Sequence, residues 1–346
     1  EPFLPAGTVI AREQTYVHTF YKKEATAQQP ATSKEEGNLV AFSGPDFKAT
    51  FDKQSGLLTS YLYKKQEYIL NGQGPRPFFW RAPTDNDYGA NLPVRLKAWK
   101  EASYQEPKAE SFQVTPGSNA TTVKVIYRFP QTDARWDITY KIYASGVIKV
   151  DNRFVAEGDQ APMIPRVGLR MQLPESFTDL TYYGRGPKEN YRDRRTSQFI
   201  GEYAIPVKDM YEPYVRPQEN NHRTDIYWCA LTDKTQRGLL LIADRTFELN
   251  ASNYPLESMD SGDTIDNGAP RTEKTHHRHL TDPLPEKMVD LFIDYRMMGV
   301  GGDDSWGATA HEPYLIRPGK ENAIEYGFSL VPFDKKEDYK YLIRQY

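Results

Sequence analysis

Cysteine is almost absent from this chain of 346 residues. Cys229 stands alone, so no intrachain disulfide and no metal site built from several cysteines can form. Long apolar runs are missing as well. The longest, about Gly238–Ala243, is far short of the roughly 20 residues that a membrane-spanning helix needs. Neither sign of charge dominates: 44 basic residues face 47 acidic ones for a net charge of −3, which gives no basis for binding nucleic acid or an anionic membrane. No fixed-period repeat stands out, which disfavours propellers and β-helices. The chain opens Glu1-Pro2-Phe3-Leu4-Pro5, with neither an initiator Met nor a basic and apolar leader, and is expected to be a piece of a longer protein. Its compartment is left unknown.

Aromatic residues and proline are plentiful: 24 Tyr, 16 Phe and 25 Pro. β-branched and aromatic side chains favour a pleated, half-buried surface, and alternation of period two recurs. Val123, Val125, Tyr127 and Phe129 share one face, as do Trp136, Ile138, Tyr140 and Ile142. Phe51–Leu57 reads as strand, glycine turn, strand; Ser145-Gly146 reads as a two-residue turn. Further strands are expected over Val167–Leu173, Gly238–Asp244, Met288–Tyr295 and Asn322–Leu330. Leu92–Ala102, with Leu96 and Trp99 one helical turn apart, predicts a short helix. The fold class that follows is all-β, a large antiparallel sandwich. The expected organisation is a strand ending a preceding domain in residues 1–23, carried by Gln14–Tyr21, then a polar linker over 24–37, then the sandwich over 38–346.

Three polar clusters are candidates for function. In Gly299–Gly307, glycines let backbone approach a ligand, Asp303 and Asp304 accept hydrogen bonds from hydroxyls, and Trp306 offers a flat apolar face. A phosphate loop would need a following helix and usually a lysine, and neither is present. The alternative is a tight Gly/Asp turn with a core tryptophan. In Phe78–Gly89, Arg81, Asp85, Asn86, Asp87 and Gly89 are either ligand groups or a capped turn. Asp85 and Asp87, two residues apart, do not secure the carboxyl separation of about 5–9.5 Å that a glycosidase sets across a sugar. The turn reading is favoured, with Arg81 as its clamp. In Tyr182–Arg195, interleaved Arg and Glu suggest a structural ion-pair network rather than an acid at Glu189. Thr275–Leu280 brings His277 and His279 to one strand face, a pair more often packed or solvated than metal-bound.

WRAPTDNDYG (Trp80–Gly89), YYGRGPKENYRDR (Tyr182–Arg194), DMYEPYVRPQENNHR (Asp209–Arg223), THHRHL (Thr275–Leu280) and MGVGGDDSWG (Met298–Gly307) occur in that order, with a looser FDKQSGLLTSYLY at Phe51–Tyr63. Together they resemble the C-terminal small-chain domain of large bacterial β-galactosidases of glycoside hydrolase family 2. The resemblance implies a β-supersandwich of galactose mutarotase-like architecture, preceded by the end of an immunoglobulin-like domain. It implies retaining hydrolysis of terminal β-D-galactosides such as lactose, with the catalytic glutamates on a separate N-terminal (β/α)8 barrel and therefore none here. Trp306 matches the tryptophan that the family lends to the sugar pocket, and Arg81–Gly89 falls at a loop near it. The substrate-binding set expected is Trp306, Asp303, Asp304, Arg81, Asp85, Asn86, Asp87 and Gly89. No cofactor or metal ligand is expected in this chain, magnesium and sodium belonging to the full-length enzyme. Expected partners are the galactoside, the barrel of the same chain and further copies of the protein. A mutarotase-like epimerase using His277 and Glu189, and a non-catalytic carbohydrate-binding module, are the competing readings.

Overall fold

The computed structural model describes residues 4–15, 28–156, 163–262, 279–304, 307–319, 321, 323–334 and 339–345. Among these the regular structure is mostly strand. Five strands, β1 (Thr32–Glu36), β2 (Leu39–Ser43), β3 (Phe47–Asp52), β4 (Leu58–Tyr63) and β5 (Gln66–Glu67), form one antiparallel meander in sequence order. The polar run expected as a linker therefore contains an edge strand. All five residues of β1 are exposed, so no apolar alternation betrays it, and its charged side chains suit an edge open to water.

A short strand, β6 (Arg76–Phe78), precedes three helical segments, α1 (Asp85–Gly89), α2 (Leu92–Arg95) and α3 (Lys97–Tyr104). The helix expected over Leu92–Ala102 is thus present but broken at Leu96. The chain continues through β7 (Ala109–Thr115), β8 (Thr121–Phe129), β9 (Ala134–Ile142), β10 (Ile148–Ala156), β11 (Arg166–Pro174), β12 (Asp179–Gly186), β13 (Phe199–Pro206), β14 (Arg223–Thr232), β15 (Gly238–Ser252), β16 (Met288–Met297) and β17 (Ile324–Phe333), then α4 (Tyr339–Gln345). Nine of these run in the order β13-β12-β14-β15-β17-β10-β9-β8-β7, and β16, β11 and β6 join the same sheet through β15. Every pairing recorded in these sheets is antiparallel, as a large sandwich requires.

β15 is longer than its apolar run. Residues 238–243 pair with β17 and residues 248–252 with β16 along one edge, while β14 pairs along the other. The exposed Asp244 and Arg245 lie between the two pairings and hide the continuation from a reading of hydrophobicity.

Aromatic contacts fasten the small meander to the large sheet. Phe51 of β3 meets Tyr140 of β9 edge-on at 5.0 Å between ring centroids, and the Tyr61 hydroxyl donates to the Gly146 carbonyl at 2.6 Å. At Gly56 the turn presses so closely on β8 that a Cβ would lie 2.5 Å from Val125 and from the Tyr127 hydroxyl, and φ is +75°. Phe79, Trp99, Trp136 and Phe154 pack mutually at 4.9–6.2 Å with Phe129, covering the helical side of the core. Burying each such ring contributes about 1.5–3 kcal/mol. No helix among the described residues is long and apolar enough to cross a membrane.

Candidate functional site

Thr84 begins α1 with a reciprocal cap. Its hydroxyl accepts from the Asp87 N–H, and the Asp87 carboxylate accepts from the Thr84 N–H at 3.0 Å. Asp85 and Asp87 are therefore parted: Asp85 faces solvent while Asp87 is buried. They do not form an acid–base pair.

Arg81 is 2% exposed and grips Asp87 with both arms of its guanidinium, Nε at 2.9 Å and Nη2 at 2.7 Å. Burial acts against its charge, but Asp87, helped by Glu219 and Tyr191, offsets this and raises the Arg81 pKa. The remaining donors reach across the fold to the carbonyls of Met298 at 2.7 Å and Gly299 at 3.1 Å. Arg81 is thus the clamp expected, and it holds two segments rather than one. Arg81 and Asp87, both in the expected substrate-binding set, are buried and hydrogen-bonded to one another and to backbone.

The glycine loop is fixed from a second side by Asp193. Its carboxylate accepts from the Val300 N–H at 3.1 Å and the Gly301 N–H at 2.8 Å. Asn86 donates to the Val300 carbonyl at 3.2 Å. Farther along, Asp304 closes the loop by accepting from the backbone of Gly307 at 3.1 Å and Ala308 at 3.0 Å. Gly307, at φ +127°, lies so close to the Gly89 carbonyl that a Cβ would come within 2.5 Å. The Arg81–Gly89 and Gly299–Gly307 loops consequently share one rim. Asp85, Gly89, Asp303 and Asp304 are exposed on it, Asn86 is half-buried, and Asp303 pairs with His311. Trp306, His277 and most of the Gln14–Tyr21 strand lie outside the described residues.

Beneath the rim is a cleft of about 440 Å³ lined by Asp85, Asn86, Val300, Gly301 and Gly302 on one side and by Tyr191, Arg194, Tyr214, Gln218 and Glu219 on the other. Tyr191 and Arg194 belong to the cluster expected to be ion-pair structure, and Tyr214, Gln218 and Glu219 to the Asp209–Arg223 motif, for which no role was expected. Part of this side is ion-pair structure: Glu189 accepts from Arg194 at 2.6 Å, from the Tyr214 hydroxyl and from the Asn221 N–H at 2.8 Å. With both oxygens so engaged, Glu189 is held as a structural acceptor. Glu219 takes Arg166 at 2.9 Å, the Ala82 N–H at 3.2 Å and Asn250 at 3.2 Å, so an extended polar loop is satisfied in the interior. Tyr191 differs. It is 2% exposed, its hydroxyl has no hydrogen-bond partner among the described residues, and burial pushes its pKa well up. The Tyr191 hydroxyl is therefore neutral and lies closed to solvent behind the cleft wall. Its signal lay inside the quoted motif, but nothing local distinguished it from a core tyrosine.

The profile of the family described as β-galactosidase small chain matches residues 43–330. The chain belongs to that family. A β-galactosidase from Priestia megaterium is 33% identical over 291 residues, covering 84% of this chain and 26% of the relative. One from Streptococcus thermophilus is 27% identical, covering 95% of this chain and 30% of the relative. The small-chain region thus spans between a quarter and a third of the length of these relatives. Among solved structures, galactose 1-epimerase from Lactobacillus acidophilus superposes with a TM-score of 0.48 at 6% identity, covering 89% of this chain and 99% of that one. Among the described residues of this small chain, no group of three or more His, Cys, Asp or Glu is arranged to hold a metal ion.

Proposed function

We propose that this small-chain region forms one wall of the galactoside pocket of a retaining β-galactosidase, whose catalytic carboxylates belong to a barrel outside these residues. The observation that carries the reading is the rim. Arg81 and Asn86 tie the two motif loops together, Asp193 braces the glycine loop from a third segment, and the groups left outward are the carboxylates of Asp85, Asp303 and Asp304, with the half-buried Asn86 beside them. Trp306, in the same loop, supplies the flat face against sugar C–H groups. Arg81 and Asp87 act as positioning residues. A rim braced in this way acts on rate by holding the sugar near its reactive geometry, which here is the work of binding rather than of proton transfer.

The test is kinetic. In a complete enzyme carrying this region, Trp306→Ala is expected to raise KM for a nitrophenyl β-galactoside about tenfold or more, equivalent to roughly 1.4 kcal/mol of lost contact. The region alone is expected to show no turnover. Hydrolysis by the region alone would place the carboxylates within it and overturn the assignment.

A further inference from the structure

The open face of the large sheet carries a second, larger concavity, of about 750 Å³, that neither the Arg81–Gly89 nor the Gly299–Gly307 loop lines. Thr139 of β9, Asp151 of β10, Tyr326 of β17, Arg245 of β15 and Arg296 of β16 mark its extent across five strands. Its carboxylates are well matched by cations. Asp137 is held by Arg135 at 2.6 Å and Lys124 at 3.4 Å, and Asp151 by Lys141 at 3.0 Å and Lys149 at 3.3 Å. Asp225 is held by Arg185 at 2.7 Å and Arg195 at 2.8 Å.

Of the lining cations, Lys124, Arg153 and Arg192 pair with Asp137, Glu325 and Glu248, while Arg245 and Arg296 have no ion pair among the described residues. The Nε–H of Arg296 is buried without an acceptor. Its guanidinium lies 5.2 Å from the centre of the Tyr295 ring. Burial, followed by the neighbouring charge of Arg192, lowers its pKa. Arg245 stands exposed on the same wall. The buried Nε–H of Arg296 is closed to solvent, but the terminal nitrogens of this half-buried side chain line the concavity without an acceptor among the described residues, and an incoming oxyanion would supply charge-assisted hydrogen bonds to them. Tyr295 packs 6.0 Å from Tyr326, whose hydroxyl is anchored on the Ile293 carbonyl at 3.1 Å, so the ring beside Arg296 is held in place. An aromatic face next to an unmatched guanidinium suits a ring that carries an acid group.

We propose that this concavity binds the carboxylate or sulfate of a small acidic saccharide, with Arg296 and Arg245 receiving the anion and Tyr295 bordering the sugar. The proposal stands apart from the galactoside reading, since it uses neither motif loop. It is tested by calorimetric titration of the full chain with sodium galacturonate, sodium sulfate and neutral galactose, each against sodium chloride at matched ionic strength. Saturable galacturonate binding is expected, at least tenfold tighter than sulfate, and weakened at least tenfold in Arg296→Met. Because that substitution removes an unmatched cation, the unliganded variant is expected to melt at the same temperature or higher, which separates lost binding from lost folding. A weaker loss is expected for Arg245→Gln. Galacturonate heats no larger than those of chloride, or unchanged binding in Arg296→Met, would overturn the site. Sulfate binding as tightly as galacturonate would make a free inorganic anion the ligand and overturn the saccharide assignment.

Discussion

Replacing Arg81 by Met tests whether the clamp holds the rim. The substitution keeps much of the side-chain volume but removes four hydrogen bonds: two to Asp87 and one each to the carbonyls of Met298 and Gly299. It also strands the Asp87 carboxylate, which is 5% exposed and keeps only the Thr84 N–H as a donor. Removing one partner of a buried ion pair costs about 3–5 kcal/mol. An unfolding entropy of about 2.1 cal/mol/K per residue over the 346 residues corresponds to roughly 1.4 °C per kcal/mol. The expected fall in Tm is therefore about 4–7 °C, read by differential scanning calorimetry. Hydrogen exchange should speed up in both Thr84–Ala90 and Gly299–Asp304, because a single guanidinium bridges them. If the penalty is mainly a stranded charge, Arg81→Met combined with Asp87→Leu will cost less than the sum of the single changes by about 1–3 kcal/mol. A fall below about 1 °C for Arg81→Met, or faster exchange in one loop only, would refute the reasoning.

Asp193→Ala leaves the Val300 and Gly301 N–H groups without their acceptor, and local stability of the glycine loop should drop by about 1.5–3 kcal/mol in hydrogen exchange while the sheet stays protected. Gly307→Ala places a methyl group against the Gly89 carbonyl at a backbone angle that alanine rarely adopts. Thermal stability should fall by no more than about 1–3 kcal/mol, whereas KM of the complete enzyme should rise, since the two loops must part. His311 should titrate above 6.5 in NMR because the Asp303 carboxylate favours its charged form, and Asp303→Asn should return it towards the ordinary value. The folded pKa being the higher, any stabilisation from this pair is present below the unfolded histidine pKa and is lost as pH rises through the raised one.

Much of this architecture was legible because half-buried strands announce themselves. β8 and β9 alternate apolar and polar residues along most of their length, and the structure buries the faces that the alternation named. The elements missed were those whose side chains carry no such contrast. β1 is exposed along all of its length, and β15 passes through Asp244 and Arg245 without ending. At the candidate site, clustering singled out the loops but not the orientation of residues within them. Arg81, Asp85 and Asp87 are equally polar in the sequence, yet capping turns Asp87 inward onto Arg81 and leaves Asp85 in water. The bracing by Asp193 and the cleft wall that includes Tyr191 depend on contacts between residues more than a hundred positions apart, which no local pattern records.

The measurement that bears most directly on the central claim is a structure of the complete enzyme with a bound galactoside. The account predicts a sugar seated against the shared rim, with Trp306 along its apolar face and Asp85, Asn86 or the Asp303–Asp304 pair within hydrogen-bonding distance of its hydroxyls. A galactoside bound at the barrel with no contact to either loop would contradict it, and would reduce the motif cleft of this small chain to a structural seam.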